Sequence, residues 1–383
     1  MKKAITYFIL LLSLGLAGCQ NSTLDETKTL NEPFAEGIAV AVLDGKDVLI
    51  NSSGTVLYEC KDETYLTGFG NGFATISNGP TGLDETKFGY LDSDGKMVIQ
   101  PEFKQAKNFV GDLAIVDKNN KLGFINREGG YEILPKYETL NFFQEDLALA
   151  QINGKYGYIN IDDEFVIKPQ FDDGFSFSGG LAKVEIEGKF GFIDKKGKFV
   201  VNPVYDDVDD FRDGYAVVYV DEKAGLIDKT GKTIVEPMYD QLSDFTENID
   251  LAAFELDGQY GYINSKGEIK INPEYDLTSI FIEGMSQIRR NGKYGFIDKT
   301  GTVVINPQFE DVTYFSDSLA VITVGGKQGY INKKGEIVIS PKFEEALPFN
   351  SGVAVVKIED KYGAINKKGD IVVQPKFDSI EVD

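Results

Sequence analysis

Apolar residues along this chain come in short runs, interrupted every few positions by Gly, Asn, Asp or Pro. One set comprises Leu319–Val324, Gly329–Asn332 and Ile337–Ile339, separated by a turn at Gly326 and a Lys333-Lys334-Gly335 turn. Runs rich in Val, Ile, Tyr and Phe with such breaks predict strands joined by tight turns, three to a unit. No 3.6-residue apolar period extends beyond two turns of helix, so the array is expected to be nearly all β. Ile337 and Ile339 point to one face and Val338 to the other. Apolar residues on both faces predict sheets covered on both sides by neighbours.

The runs keep time with a glycine. Gly89, Gly123, Gly157, Gly191, Gly225, Gly261, Gly295, Gly329 and Gly363 lie 34 residues apart, except for 36 between Gly225 and Gly261. A proline follows each by twelve residues, from Pro101 to Pro375. An internal repeat of this length outranks any local signal for the fold. A second glycine series, Gly95, Gly129, Gly197, Gly231, Gly267, Gly301, Gly335 and Gly369, supplies the left-handed residue of a hairpin loop. Asp163 holds that place in one unit, and Asp is among the few residues that tolerate it. The proline is expected to end the third strand. Aromatics two residues later (Phe103 through Phe377) and six further on (Phe109 through Phe349) are expected to fill the core, packing over the mid-strand glycines.

Ten units are counted, starting at Phe34, Phe69, Phe109 and every later member of that aromatic series through Phe349. Residues 34–87 form two degenerate units: Val48 stands in the glycine position and residues 77–87 are an insertion. Residues 88–383 form the regular array. Atypical terminal repeats favour an open, solenoid-like stack of β-meanders. A closed, β-propeller-like ring, with the first strand completing the last sheet, is the alternative.

An aromatic-glycine pair, then aromatic-Ile-Asn/Asp, a Lys-Lys/Thr-Gly turn and Ile-x-Pro-x-Phe/Tyr, resembles the bacterial WG (KWG) repeat. Tyr156-Gly157, Phe190-Gly191, Tyr260-Gly261, Tyr294-Gly295 and Tyr362-Gly363 stand where that family often has Trp-Gly. The chain has no tryptophan, and Leu122, Ala224 and Gln328 depart further. The resemblance implies a repeat architecture and envelope placement, and it brings no catalytic residues.

The first residues carry a different signal. Lys2 and Lys3 precede an apolar run, Ala4–Leu16, that is too short to span a membrane. Leu16-Ala17-Gly18-Cys19 then resembles a lipoprotein lipobox, which implies a signal peptide over 1–18 and lipidation at Cys19. Residues 19–33 read as a flexible tether. The expected location is the cell envelope: the outer membrane in a Gram-negative cell, or the outer face of the plasma membrane in a Gram-positive one.

Composition narrows the chemistry. A formal net charge of −22 argues against nucleic acid as a partner. The chain has no histidine, so Ser-His and Cys-His nucleophiles and His-containing zinc sites are excluded. Cys60 has no base partner and is expected to be a small buried residue. The adjacent carboxylates Asp162-Asp163-Glu164, Asp172-Asp173, Asp206-Asp207 and Asp209-Asp210 could serve a glycosidase or calcium, but their places suit solvated turns. Lys195-Lys196 and Lys367-Lys368 line up as a basic row suited to edge protection or an anionic glycan. The expected function is a non-enzymatic, lipid-anchored module that binds an envelope protein or glycan and needs no cofactor or metal. The alternative is a carbohydrate-active protein using paired carboxylates. The acidic surface, the degenerate units and the two-residue insertion near Asn248 are the places to seek a site.

Overall fold

A computed structural model describes residues 36–61, 63–245 and 249–377. The targeting segment, Cys19, the tether, Phe34 and Asn248 lie outside the described residues. Within those residues every regular element is a strand. Ten antiparallel sheets follow in chain order, each a meander whose sequence neighbours pair with one another. Sheet 1 (38–59) has three strands. Sheets 2 to 10 have four and span 65–103, 105–137, 139–171, 173–205, 207–239, 241–275, 277–309, 311–343 and 345–377.

The expected three strands per unit are therefore joined by a fourth. In sheets 3 to 10 it is a two-residue opening strand, such as Gln105–Ala106 or Glu345–Ala346, just after the proline-aromatic pair. Two residues carry no periodicity; pairing with the following strand, as in Ala106 opposite Val116, defines them.

The proline does not end its strand. In sheet 5 the last strand runs Phe199–Tyr205, straight through Pro203. Phe190 pairs with Tyr205 and Phe192 with Val201, so Gly191 alone faces residues 202–204 across a bulge. A missing N–H is tolerated there, because bulged residues leave the ladder. A Cβ on Gly191 would lie 2.5 Å from the Val201 carbonyl oxygen and 2.7 Å from the Pro203 nitrogen. Backbone, not an aromatic ring, therefore covers the mid-strand glycine. The twelve-residue interval links a bulge to the gap that admits it.

The core consists of layers between consecutive sheets. Phe73, Tyr90, Phe103 and Phe109 join Ala114, Val116 and Ile125 to hold sheets 2 and 3 together. The same layer in sheets 4 and 5 contains Tyr158 and Phe177, with ring centroids 4.8 Å apart. The Tyr158 hydroxyl donates to the Phe175 carbonyl at 2.7 Å, and Tyr90, Tyr262 and Tyr330 repeat this tie to Lys107, Ser279 and Leu347. Most rings of both aromatic series are buried, as expected. Cover on both faces holds for the middle strands, where Gly329, Tyr330 and Ile331 are all buried. It fails for the third strands: Ile337 is 55% and Val338 42% exposed, because this strand is the outer edge of its sheet.

The hairpin glycines adopt positive φ, and Asp163 does so at 63°. They also let each turn lie on the preceding sheet. A Cβ on Gly335 would meet Ile305 at 3.3 Å, and one on Gly369 would meet Ile339 at 3.4 Å.

Sheets 1 and 10 share no ladder. Val373 and Phe377 on sheet 10 are 38% and 40% exposed, whereas Ile339 and Phe343, one repeat earlier, are 4% and 1% exposed. The array is open, and the alternative of ring closure does not hold.

Candidate functional site

The adjacent carboxylates do not act as pairs but take separate structural places. Asp172 accepts from the Lys155 ammonium at 2.5 Å and from the Glu187 N–H at 2.8 Å. Asp206 repeats this with Lys189 and Asp221, and Asp240 with Lys223 and Asp257. The lysine hydrogen bond is the main cause holding all three carboxyls below the usual range. Asp173 and Asp207 instead accept from the N–H of their own next residues, Gly174 and Val208. Asp163 accepts from the Tyr137 hydroxyl at 2.6 Å and from Lys136, tying its turn to the preceding sheet. Asp162 and Asp210 are exposed.

This ladder predicts a pH dependence. A carboxyl whose folded pKa is depressed stabilises the fold above its unfolded pKa and loses that effect as pH falls through the folded value. Asp172→Asn, Asp206→Asn and Asp240→Asn combined should lower the melting temperature at pH 7. At about pH 2.5, below the ordinary carboxylate range, the gap to the parent should be narrower, and it closes only below the depressed folded values. Melting curves by circular dichroism at both pH values check this, and a gap that does not narrow at low pH would refute the assignment.

In the Lys-Lys-Gly row, the first lysines reach acids on the preceding sheet: Lys195 to Glu145 at 3.4 Å, Lys333 to Glu283 at 3.0 Å and Lys367 to Asp317 at 3.6 Å. The second lysines, such as Lys196, Lys334 and Lys368, are exposed, and so is Lys367 despite its ion pair. Cys60 is 1% exposed beside Leu49 and Leu66, and burial pushes its thiol up. Among the described residues no group of three acids or cysteines is placed to hold a metal ion.

What the constant frame presents to solvent is a column six residues after each proline: Lys107, Asn141, Phe175, Asp209, Ser243, Ser279, Thr313 and Leu347. Its backbone keeps one register except at Ser279, whose N–H donates to the Ser286 Oγ at 3.4 Å. The N–H groups of Lys107, Phe175, Asp209 and Leu347 donate to Ile115, Lys183, Val217 and Val355 at 2.9–3.0 Å. None of the eight is buried, and their chemistry runs from cation to anion to aromatic. Sequence reasoning missed this column because it attends to positions that repeat. The same alignment on proline shows it as the position that does not.

The column is most elaborated at its centre. Phe175 is 39% exposed, and the Lys183 ammonium lies 4.2 Å from its ring centroid while donating to the Val208 carbonyl at 3.1 Å. Lys183 occupies a strand position held by Leu149 and Val217 in the flanking sheets. Asp209 accepts from the Tyr219 hydroxyl at 3.1 Å. Although Asp209 as a residue is exposed, desolvation of its carboxyl by neighbouring groups, then the charges of Asp244 and Asp207, push it above the usual range, opposite to Asp206. Arg212 pairs with Asp244 at 3.0 Å. Separately, a cavity of about 360 Å³ lies beside the insertion, lined by Asp250, Asn264, Lys270, Lys299 and Thr300 with Ile249 and Leu251.

A family model described as "WG containing repeat" matches residues 88–121, 123–156, 156–190, 190–223, 225–260, 260–294, 294–327, 329–362 and 362–382. The unit 190–223 takes the last two strands of sheet 5 and opens sheet 6, so each sequence repeat before the last straddles two sheets. No curated protein matches the chain. Among solved structures, the crystal structure of the eukaryotic initiation factor is similar at 11% identity over 76% of this chain and 93% of that one, with a TM-score of 0.37. PorZ, a bacterial surface component of the type-IX secretion system of Porphyromonas gingivalis, is similar at 10% identity over 88% of this chain and 57% of that one, with a TM-score of 0.27.

Proposed function

Because the chain belongs to the family of WG-containing repeats, we propose that it is a non-catalytic binding or scaffold module of the cell envelope, held by a lipid on Cys19. Its partner is an envelope protein or glycan. The observation that carries this reading is the column of unlike side chains on a backbone register that holds everywhere but at Ser279. Positions that pack the sheets repeat, whereas positions that face solvent differ, as in other stacked-repeat binders. The exposed Phe175 ring, with Lys183 beside it, is the anchor of the contact.

Crosslinking on intact cells followed by partner identification tests this. Phe175→Ser should lower capture of the partner about tenfold or more, as the loss of an aromatic hot spot does. Capture unchanged by that substitution would remove the column from the contact. A carbohydrate-active reading draws on one observation, the raised Asp209 carboxyl near Asp207 and Tyr219. Turnover of a glycan that Asp209→Asn abolishes would favour it over binding alone.

A further inference from the structure

The two ends of the array are unmatched halves of the interface that joins every sheet to the next. Inside the array, each hairpin glycine rests on the preceding sheet: Gly197 on Ile167, Gly301 on Ile271, Gly335 on Ile305 and Gly369 on Ile339. Sheet 1 has the same turn, with the Gly54 N–H donating to the Asn51 carbonyl at 2.8 Å and a φ of 79°. A Cβ there would meet nothing within 4 Å. At the other end, Val373 takes the place of Ile339 and lies 38% exposed.

The flanking positions agree. Ala182, Val184 and Ile193 are at most 1% exposed against the preceding sheet. Their counterparts in sheet 1, Ala39, Ala41 and Ile50, are only partly buried, and Leu43 is 49% exposed. Phe377 is 40% exposed where Phe171 is fully buried.

We propose that a second copy of this chain docks here, the sheet 1 face of one copy stacking on the sheet 10 face of another. The Gly54 turn then lies on Val373 as Gly335 lies on Ile305. The argument for this occupant is continuity: each face is one half of an interface that the chain already builds between all its consecutive sheets. Such a contact is heterologous and does not close on itself, so copies add in a line.

Two singly blocked full-length variants test it. Val373→Asp blocks one end and Leu43→Asp the other, and sedimentation velocity reads the assembly. The parent should form dimers and longer species with rising concentration. Each variant alone should be monomeric, with association weakened about tenfold or more by a buried unpaired charge. Mixed, the two should form dimers and nothing longer, since one intact face of each kind remains. That recovery also shows that both variants are folded. A monomeric parent would overturn the proposal. A single variant that still assembles, or a mixture that stays monomeric, would overturn it too.

Discussion

Gly191→Ala is expected to destabilise its sheet by about 3 kcal/mol or more, although it adds a single methyl group to a strand. The new carbon would sit 2.5 Å from the Val201 carbonyl oxygen and 2.7 Å from the Pro203 nitrogen. Both are backbone atoms held in the bulge by the Phe190–Tyr205 and Phe192–Val201 pairs, so no side-chain rotation relieves the clash. A strand would ordinarily gain from losing a glycine, because glycine has the most conformational freedom to surrender on folding. The expected sign is therefore opposite to propensity. Gly188→Ala is the control: it sits in a neighbouring hairpin with open space around its Cβ, and its φ of 76° imposes only the smaller cost of a left-handed alanine. Hydrogen exchange resolved along the chain should show sheets 5 and 6 losing protection in Gly191→Ala. Equal effects from the two substitutions would refute the close-approach account.

Phe343→Ala should cost about 3–5 kcal/mol, the usual range for emptying a buried aromatic site. Phe377→Ala, the same change one repeat later, should cost only about 1 kcal/mol at protein concentrations where copies stay apart. Phe343 is 1% exposed in a layer with Tyr330 and Phe349, whereas Phe377 is 40% exposed on the uncovered face of sheet 10. Stacked-repeat arrays need not unfold in one step, so local opening free energies from hydrogen exchange are the better measure than a single melting point. A closed ring would bury both rings and equalise the two costs, so this comparison also tests openness.

Much of the frame was legible in the residues. The glycine beat gave the unit length, and the Lys-Lys-Gly turns gave a hairpin whose left-handed residue falls where expected, including at Asp163. The aromatic series marked the layers between sheets, because large rings at fixed spacing have to be covered by something. The reading of Pro203 as a strand terminator failed for a physical reason. A proline stops a ladder only where its N–H is needed, and the bulge opposite Gly191 needs none. The opening strands escaped notice because two residues have no pattern of their own.

The candidate site was less legible than the frame. Adjacency in sequence suggested that Asp206 and Asp207 work together, yet one holds a lysine and a turn while the other caps its own backbone. Asp209, raised by desolvation of its carboxyl and by charges from two sheets, could be distinguished from them only in three dimensions.

The sequence by itself determined the repeat, its strands and turns and the identity of its packing residues, because local propensity and apolar periodicity act within one unit. Tertiary structure decided how units meet: which strand bulges over which glycine, which acids stabilise turns, which column faces solvent, and that the first and last sheets do not join. Those outcomes depend on contacts between sheets, and no residue's own spacing encodes the distance to a neighbour it meets only after folding.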